Sequence, residues 1–189
     1  MAEMRMDCPV CHSKNSAVND TRTVNIPYFG DVMETTIICE VCGFKHSDVM
    51  SLEHHDPARH TLKISENNLS SRVIRSQSAT VTIPEIGIKV EPGPKSEGYV
   101  SNVEGVITRF KKATKRALTL FTDDESQKNA KKVLEDLDKV LNGDMEVTLI
   151  IEDPFGQSKI MDLKSVETPL TKEELKDLKT GFMVIDEDQ

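Results

Sequence analysis

Four cysteines fall in two pairs of identical spacing, Cys8-Pro9-Val10-Cys11 and Cys39-Glu40-Val41-Cys42. Two intervening residues let both sulfurs of a pair face one ion at about 2.3 Å, while the amides between them hydrogen-bond to sulfur. Two such knuckles supply four thiolates, which complete a tetrahedral shell and leave no position open for water. That donor set makes a structural zinc site rather than a catalytic one. One structural Zn2+ held by Cys8, Cys11, Cys39 and Cys42 is therefore the expected cofactor. Gly43 follows the second knuckle, where a positive φ helps the backbone wrap back. A redox pair of the thioredoxin kind needs one C-x-x-C in a βαβ setting, and neither pair has one. An iron–sulfur cluster is the competing four-cysteine chemistry, and the symmetric spacing argues against it. His12 and His46 adjoin the knuckles; with four thiolates at hand they read as neighbours of the site, not ligands.

Other reactive constellations do not assemble. The sequence has no G-x-x-x-x-G-K-[ST], no H-E-x-x-H and no G-x-S-x-G, so the phosphate-cradling loop, the zinc-protease helix and the nucleophile elbow are absent. His54-His55-Asp56 has the H-x-D spacing of two-histidine, one-carboxylate metal sites, yet no histidine follows His60 to complete one. These histidines read as solvated turn residues. With all four cysteines on metal, no thiol remains as a nucleophile. The expectation is a protein that is not an enzyme and takes no small-molecule substrate.

The elements that position the cysteines must be built largely from aliphatic residues. The 189 residues include no Trp, two Tyr and six Phe, so the core rests on Val, Ile and Leu. Hydrophobic residues at 37% and charged residues at 30% suit a folded chain. A net charge of −8 repels phosphate backbones and makes nonspecific nucleic-acid binding unfavourable. No apolar run approaches the roughly 20 residues that span a bilayer. Met1 to Asp7 has no apolar stretch of the signal-peptide kind. The expected location is the cytoplasm, where paired cysteines read as metal ligands before disulfides.

The organisation is read as a four-cysteine, zinc-ribbon-like finger over 1–52 and a β-rich domain over 53–189, with the polar turn His54-His55-Asp56-Pro57 at the seam. The finger shows little periodic pattern. A helical hairpin is expected at about 102–142. Ser101 with Glu104 fits a capping box for its first helix, and Thr122 with Glu125 for its second. Val103, Ile107, Phe110, Thr114 and Ala117 make one apolar stripe. Ala130, Val133, Leu134, Leu137, Val140 and Leu141 make the other, and Asn142-Gly143 ends it. A short third helix is capped by Thr171 and Glu174, with Leu170 stapled on Leu175. Strands are expected at 80–83, 86–90, 146–151 and 159–163. Strands, helices, then strands again imply an α+β domain with mostly antiparallel sheet. Arg109, Lys111, Lys112, Lys115 and Arg116 share the first helix. They read as a solvated face, since no aromatic residue interleaves for base stacking; nucleic acid or an acidic protein face is the competing partner.

Several segments resemble one known family along nearly the whole chain and in the same order. Ile26-Pro27-Tyr28-Phe29 between the knuckles and Cys39-Glu40-Val41-Cys42-Gly43-Phe44 resemble the finger of the Zpr-type zinc-finger family. Arg75-Ser76 through Ile83-Pro84-Glu85-Ile86, Glu91-Pro92-Gly93 and Val103-Glu104-Gly105-Val106 resemble its second conserved stretch. Glu152-Asp153-Pro154-Phe155-Gly156-Gln157-Ser158 resembles its D-P-x-G-N-S turn. His12 stands where the family often has glycine, and Gln157 where it usually has asparagine. Eukaryotic members carry two finger-plus-domain modules; this chain has one, as archaeal members do. The resemblance implies an elongated finger followed by a double-stranded β-helix domain with an inserted helical hairpin. It also implies binding to translation elongation factor one-alpha, a GTPase, and assistance with its folding or GTP cycle. On that footing Ile26, Tyr28, Phe29 and Phe44 are candidate partner-binding residues; packing beneath the zinc site is their other reading. The alternative function is that of a nucleic-acid-associated zinc-ribbon protein in transcription or RNA handling.

Overall fold

The structure, a computed structural model, describes residues 2–26, 30–52 and 55–181. Tyr28, Phe29, His54 and the acidic Asp186-Glu187-Asp188 lie outside the described residues.

The cysteine-bearing half is an antiparallel sheet of four strands in sequence order: β1 (Ala2–Met6), β2 (Ala17–Ile26), β3 (Gly30–Cys39) and β4 (Lys45–Ser51). β2 and β3 pair over their full length, from Ala17 opposite Cys39 to Ile26 opposite Gly30. Ten residues at about 3.3 Å each make a ribbon of about 33 Å. The sequence shows no period of two here because both faces are only partly covered along the middle of the ribbon. Only its ends bury side chains: Ala17 and Cys39 at one, Ile26 and Val32 at the other. Cross-strand contacts hold the middle, with Arg22 and Glu34 paired at 2.7 Å and the Thr21 and Thr35 hydroxyls 3.5 Å apart.

The second half carries two antiparallel sheets. The larger has the order β12 (Val166–Pro169), β5 (Ala58–Ile64), β10 (Val147–Asp153), β7 (Thr80–Ile83), β8 (Ile88–Val90). The smaller has the order β11 (Lys159–Met161), β6 (Arg72–Arg75), β9 (Tyr99–Asn102). Val147, Leu149, Ile151 and Asp153 of β10 point inward, alternating with Thr148, Ile150 and Glu152. Leu62, Ile64, Val81, Ile83, Leu149 and Ile151 of the larger sheet meet Val73 and Ile160 of the smaller in one core. The strand expected over 86–90 is shortened, because Pro84–Ile86 forms a 3-10 turn and Gly87 takes φ +72° before β8 begins. The strand expected over 159–163 ends at Met161, where the Ser71 hydroxyl and the Lys164 amide bond the Asp162 carboxylate and turn the chain.

Helices α1 (Val103–Leu118) and α2 (Asp124–Leu141) close the core with Val103, Val106, Ile107, Phe110, Leu137 and Val140. Their caps fall one residue later than the sequence suggests. Ser101 is held in β9 opposite Val73, so Asn102 caps α1 by accepting the Gly105 amide at 2.8 Å. Asp123 likewise caps α2 by accepting the Ser126 amide at 2.7 Å. Asn and Asp rank with Ser and Thr as caps, so local preference alone did not separate them. Gly143, at φ +81°, follows α2. The short α3 (Lys172–Asp177) has the Thr171–Glu174 capping box the sequence predicts.

The two halves meet where the ribbon's far end lies on the smaller sheet. Ile26 and Val32 pack with Ile74, joined by Val49, Val100 and Met161. The Gly98 amide donates to Asp48 Oδ1 at 2.8 Å, and a side chain there would put its Cβ 2.5 Å from the Val49 carbonyl oxygen. Only glycine admits that approach.

One buried carboxylate ties the D-P-F-G-Q-S turn to the loop after β6. Asp153 is fully buried. Its Oδ2 accepts from the Ser76 and Ser158 hydroxyls at 2.8 and 2.6 Å, and its Oδ1 from the Ser78 hydroxyl at 3.1 Å and the Phe155 amide at 3.0 Å. Four donors satisfy a charge that burial would otherwise make very costly. Asp153→Ala should destabilise the domain by about 3–5 kcal/mol, because it removes the shared acceptor of three buried hydroxyls and the Phe155 amide. Urea unfolding of the zinc-loaded protein measures this, and a loss below about 1 kcal/mol would show the network to be dispensable.

Candidate metal centre

The near end of the ribbon gathers the four cysteines. Cys8 and Cys11 sit in the turn between β1 and β2; Cys39 closes β3, and Cys42 lies in the turn before β4. All four sulfurs fall within 4.8 Å of one another. Cys8 and Cys42 Sγ are 3.7 Å apart, and Cys11 and Cys39 Sγ 3.8 Å apart. A tetrahedron with arms of about 2.3 Å has edges of about 3.8 Å, so the set fits a zinc ion at its centre. Among the described residues, these cysteines are the one group of His, Cys, Asp and Glu side chains so arranged.

The backbone supplies the thiolate-stabilising donors that the spacing predicts. The Val10 and Cys11 amides donate to Cys8 Sγ, both at 3.4 Å. The Val41 and Cys42 amides donate to Cys39 Sγ at 3.4 and 3.5 Å. The Cys42 amide, with the Ser16 hydroxyl 3.5 Å away and the Val41 amide, brings Cys39 down to about 6. Bonds from Ser13 lower Cys11 in the same sense. Cys42 behaves oppositely: an amide bond from Phe44 favours its thiolate, but burial and the three neighbouring thiols outweigh it and push it up to about 12. Four thiolates this close repel one another, and a divalent cation at their centre is what lets all of them ionise. Bound zinc supplies that charge and cross-links the two turns.

The two knuckles share a backbone device. The His12 amide bonds the Cys8 carbonyl at 3.0 Å, and the Gly43 amide bonds the Cys39 carbonyl at 3.1 Å. Both residues take positive φ, 57° at His12 and 71° at Gly43. His12 thus occupies the left-handed position that suits glycine, which is the physical content of the sequence departure there. Arg5, not singled out from sequence, reaches across from β1 to both carboxylate oxygens of Glu40 at 3.1 Å and braces the second knuckle. Ser13 and Ser16 were also missed; their position a few residues past a C-x-x-C was the available signal.

The remaining candidates scatter. Ile26 is 4% exposed and sits in the junction between the halves, so its side chain is not presented to a partner. Phe44 is half-buried against the zinc cluster and stacks on His46 with centroids 6.5 Å apart. His46 points away from the sulfurs to Glu97 at 2.9 Å. His55, Asp56 and His60 line a cavity of about 590 Å³ with Lys159 and Glu167. His60 is buried there, and burial lowers its pKa against the opposing pull of Glu167. Of the basic cluster, Lys111 is ion-paired with Asp138, and the Arg109 guanidinium lies 4.1 Å from the Tyr99 ring centroid.

Two outcomes follow from this geometry. His12→Gly should relieve the left-handed backbone and stabilise the zinc end by about 0.5–1 kcal/mol, part of the gain being lost to the freer unfolded chain; slower zinc release to a chelator measures it, and faster release would contradict it. Cys39→Ser, or removal of the metal, should abolish hydrogen-exchange protection in β1–β4 while leaving β10 and the helices protected. Retained protection in β2 and β3 would mean that the metal does not hold the ribbon.

Comparison with known proteins agrees with this architecture. Residues 1–56 match the ZPR1 zinc-finger domain and residues 67–179 the ZPR1 jelly-roll domain. A ZPR1-like protein of Methanocaldococcus jannaschii is 44% identical over 183 residues, covering 96% of this chain and 92% of that protein. One from Pyrococcus horikoshii is 40% identical over 197 residues, covering 99% of this chain and 86% of its own length. The zinc finger chaperone zpr1 of Schizosaccharomyces pombe is 26% identical over 162 residues, which make up 82% of this chain and 35% of that longer protein. A four-cysteine zinc finger joined to a jelly-roll domain, aligned with the two archaeal relatives almost end to end, makes this chain a member of the ZPR1 family.

Proposed function

We propose that this protein is a non-enzymatic, zinc-stabilised binding protein of the cytoplasm that engages translation elongation factor one-alpha and assists its folding or GTP cycle. The observation that carries the binding role is the chemistry of the metal centre. Four thiolates fill the coordination shell, so the ion builds a surface and leaves no site for a reacting group. The partner follows from family resemblance, and a relative named as a chaperone fits it. We divide the chain into a finger over 1–52 and a β domain over 53–189.

The surface that zinc builds suits a protein partner. Val10 and Val41, the middle residues of the knuckles, are 57% and 66% exposed, and Met4 and Ile38 of the same sheet are exposed with them. Apolar side chains held out on a rigid turn are what a protein interface uses as anchors. We assign contact to these knuckle tips and the adjacent Phe44, with Tyr28 and Phe29 as further candidates; Ile26, buried at the ribbon's other end, is left out of that surface. The nucleic-acid alternative is weakened by the internal engagement of Lys111 and Arg109.

The test is a titration of the zinc-loaded protein against the elongation factor from the same organism, with GDP, with a non-hydrolysable GTP analogue, without nucleotide, and during refolding of the factor. Saturable binding in one of these states is expected, weakened by roughly tenfold or more in Val10→Asp or Val41→Asp and in Phe29→Ala. Absence of binding in all four states would reject this partner. Binding to RNA instead, falling steeply with salt, would favour the alternative.

A further inference from the structure

The buried histidine of the β domain stands where its two sheets part. His60 on β5 lies opposite Glu167 of β12, with Ala58 opposite Pro169, and all four line the cavity of about 590 Å³. β12 ends the larger sheet and pairs with β5 alone, and its four residues are all exposed. His60 is 2% exposed. One ion pair joins the sheets across the cavity: Lys159 Nζ, from β11 of the smaller sheet, lies 2.5 Å from Glu167 Oε2. The same oxygen is 3.9 Å from His60 Nδ1, too far for a hydrogen bond. Glu167 is thus held by a permanent cation, and the imidazole sits beside the pair without joining it.

Among the described residues, the charged groups that act on His60 are Glu167 from β12, Lys159 from β11 and Asp153 from β10, while His55 and Asp56 line the same cavity. Burial is the largest influence and lowers the imidazole pKa, and Lys159 acts in the same direction; Glu167, Asp153 and a backbone bond from Ser158 oppose them without prevailing. A neutral ring suits the closed cavity, and a charged one is stable only where water reaches it. We propose that β12 is a proton-sensitive latch, closed over His60 while the imidazole is neutral and opened when the imidazole takes a proton. Opening bares the edge of β5, whose pairing groups on that side are otherwise taken up by β12. Because the closed-state pKa is depressed, the latch is fully favoured above the ordinary imidazole value of about 6.5 and is lost as pH falls from there towards the depressed value. The contacts that follow β12 carry no group that titrates in that range. The Leu170 amide bonds the Pro57 carbonyl at 3.1 Å, and Glu174 of α3, held down at about 2 by the Thr171 amide and by Arg59, lies 2.8 Å from the Arg59 guanidinium. They bound the segment that opens. This inference does not rest on the elongation-factor reading, since it concerns only this chain.

The experiment follows amide exchange in the zinc-loaded full chain and in His60→Gln, at about pH 6.5 and 5.5, expressed as protection factors so that the intrinsic effect of pH on exchange cancels. In the unaltered chain, protection of the amides that join β12 to β5 should fall by about threefold to tenfold over that unit, tenfold being the limit for one proton per opening. β10 and α3 should keep theirs. In His60→Gln, whose amide does not titrate, the fall should be absent; any weakening of the zinc site at the lower pH acts on both proteins alike. An NMR titration of the His60 ring in the unaltered chain gives a readout that needs no variant, and its midpoint should lie below about 6.5. Protection of β12 that does not change with pH would overturn the proposal, as would a fall that persists in His60→Gln. So would a fall shared equally by β10 and α3, which is general unfolding, or a His60 midpoint at or above the ordinary value.

Discussion

A ribbon of four strands with little covered on either face has to be fastened at its ends. That constraint governs the N-terminal half. Along β2 and β3 most residues are only partly buried, so burial of apolar area supplies little there. One end is cross-linked through Cys8, Cys11, Cys39 and Cys42, whose sulfurs lie at the separations a zinc tetrahedron needs. The other end is fastened by Ile26 and Val32 against Ile74. The metal therefore stands in for a core, as metals do in modules too small to build one.

The β domain solves the complementary problem with aliphatic packing and one buried charge. Its core has almost no aromatic content: Phe110 is the single buried aromatic in the main cluster, beside many Val, Ile and Leu. Asp153 gathers Ser76, Ser78 and Ser158 and so fixes two loops that are remote in sequence. Gly156 lies so close to the 55–56 segment that a Cβ would come within 2.2 Å of the Asp56 carbonyl oxygen. The segments that carry the family resemblance, Arg75-Ser76 and Asp153 to Ser158, are thus residues of architecture. They hold the platform on which the ribbon's far end rests, through β6 and β9.

These two halves give the protein two kinds of surface. The knuckle tips present apolar side chains on turns that a closed metal shell makes rigid. Between the helical hairpin and β8 runs a groove floored by Val90, Phe110 and Ala113, with Lys95, Glu97, Arg109 and Arg116 at one end.

What the sequence alone determined is what short spacing encodes. Two C-x-x-C pairs dictate a four-thiolate site because the turn geometry is local. The α1–α2 stripes and the Thr171–Glu174 box are legible because they repeat within a few residues. The antiparallel α+β class followed from the order of those elements. Only the tertiary structure decided the rest. The ribbon strands left no alternation to read, since two faces that are both only partly covered impose no period of two. The cap of α1 moved to Asn102 because Ser101 is claimed by a strand pairing with Val73, a contact about thirty residues away that local preference cannot register. Ile26, a candidate for partner binding on the family resemblance, is buried, because what covers it, Ile74 on β6, arrives from the other half of the chain. Asp153 needed Ser76 and Ser78, which reach it from more than seventy residues away in sequence. Spacing fixes chemistry that a single turn completes, and long-range packing fixes everything that two segments must share.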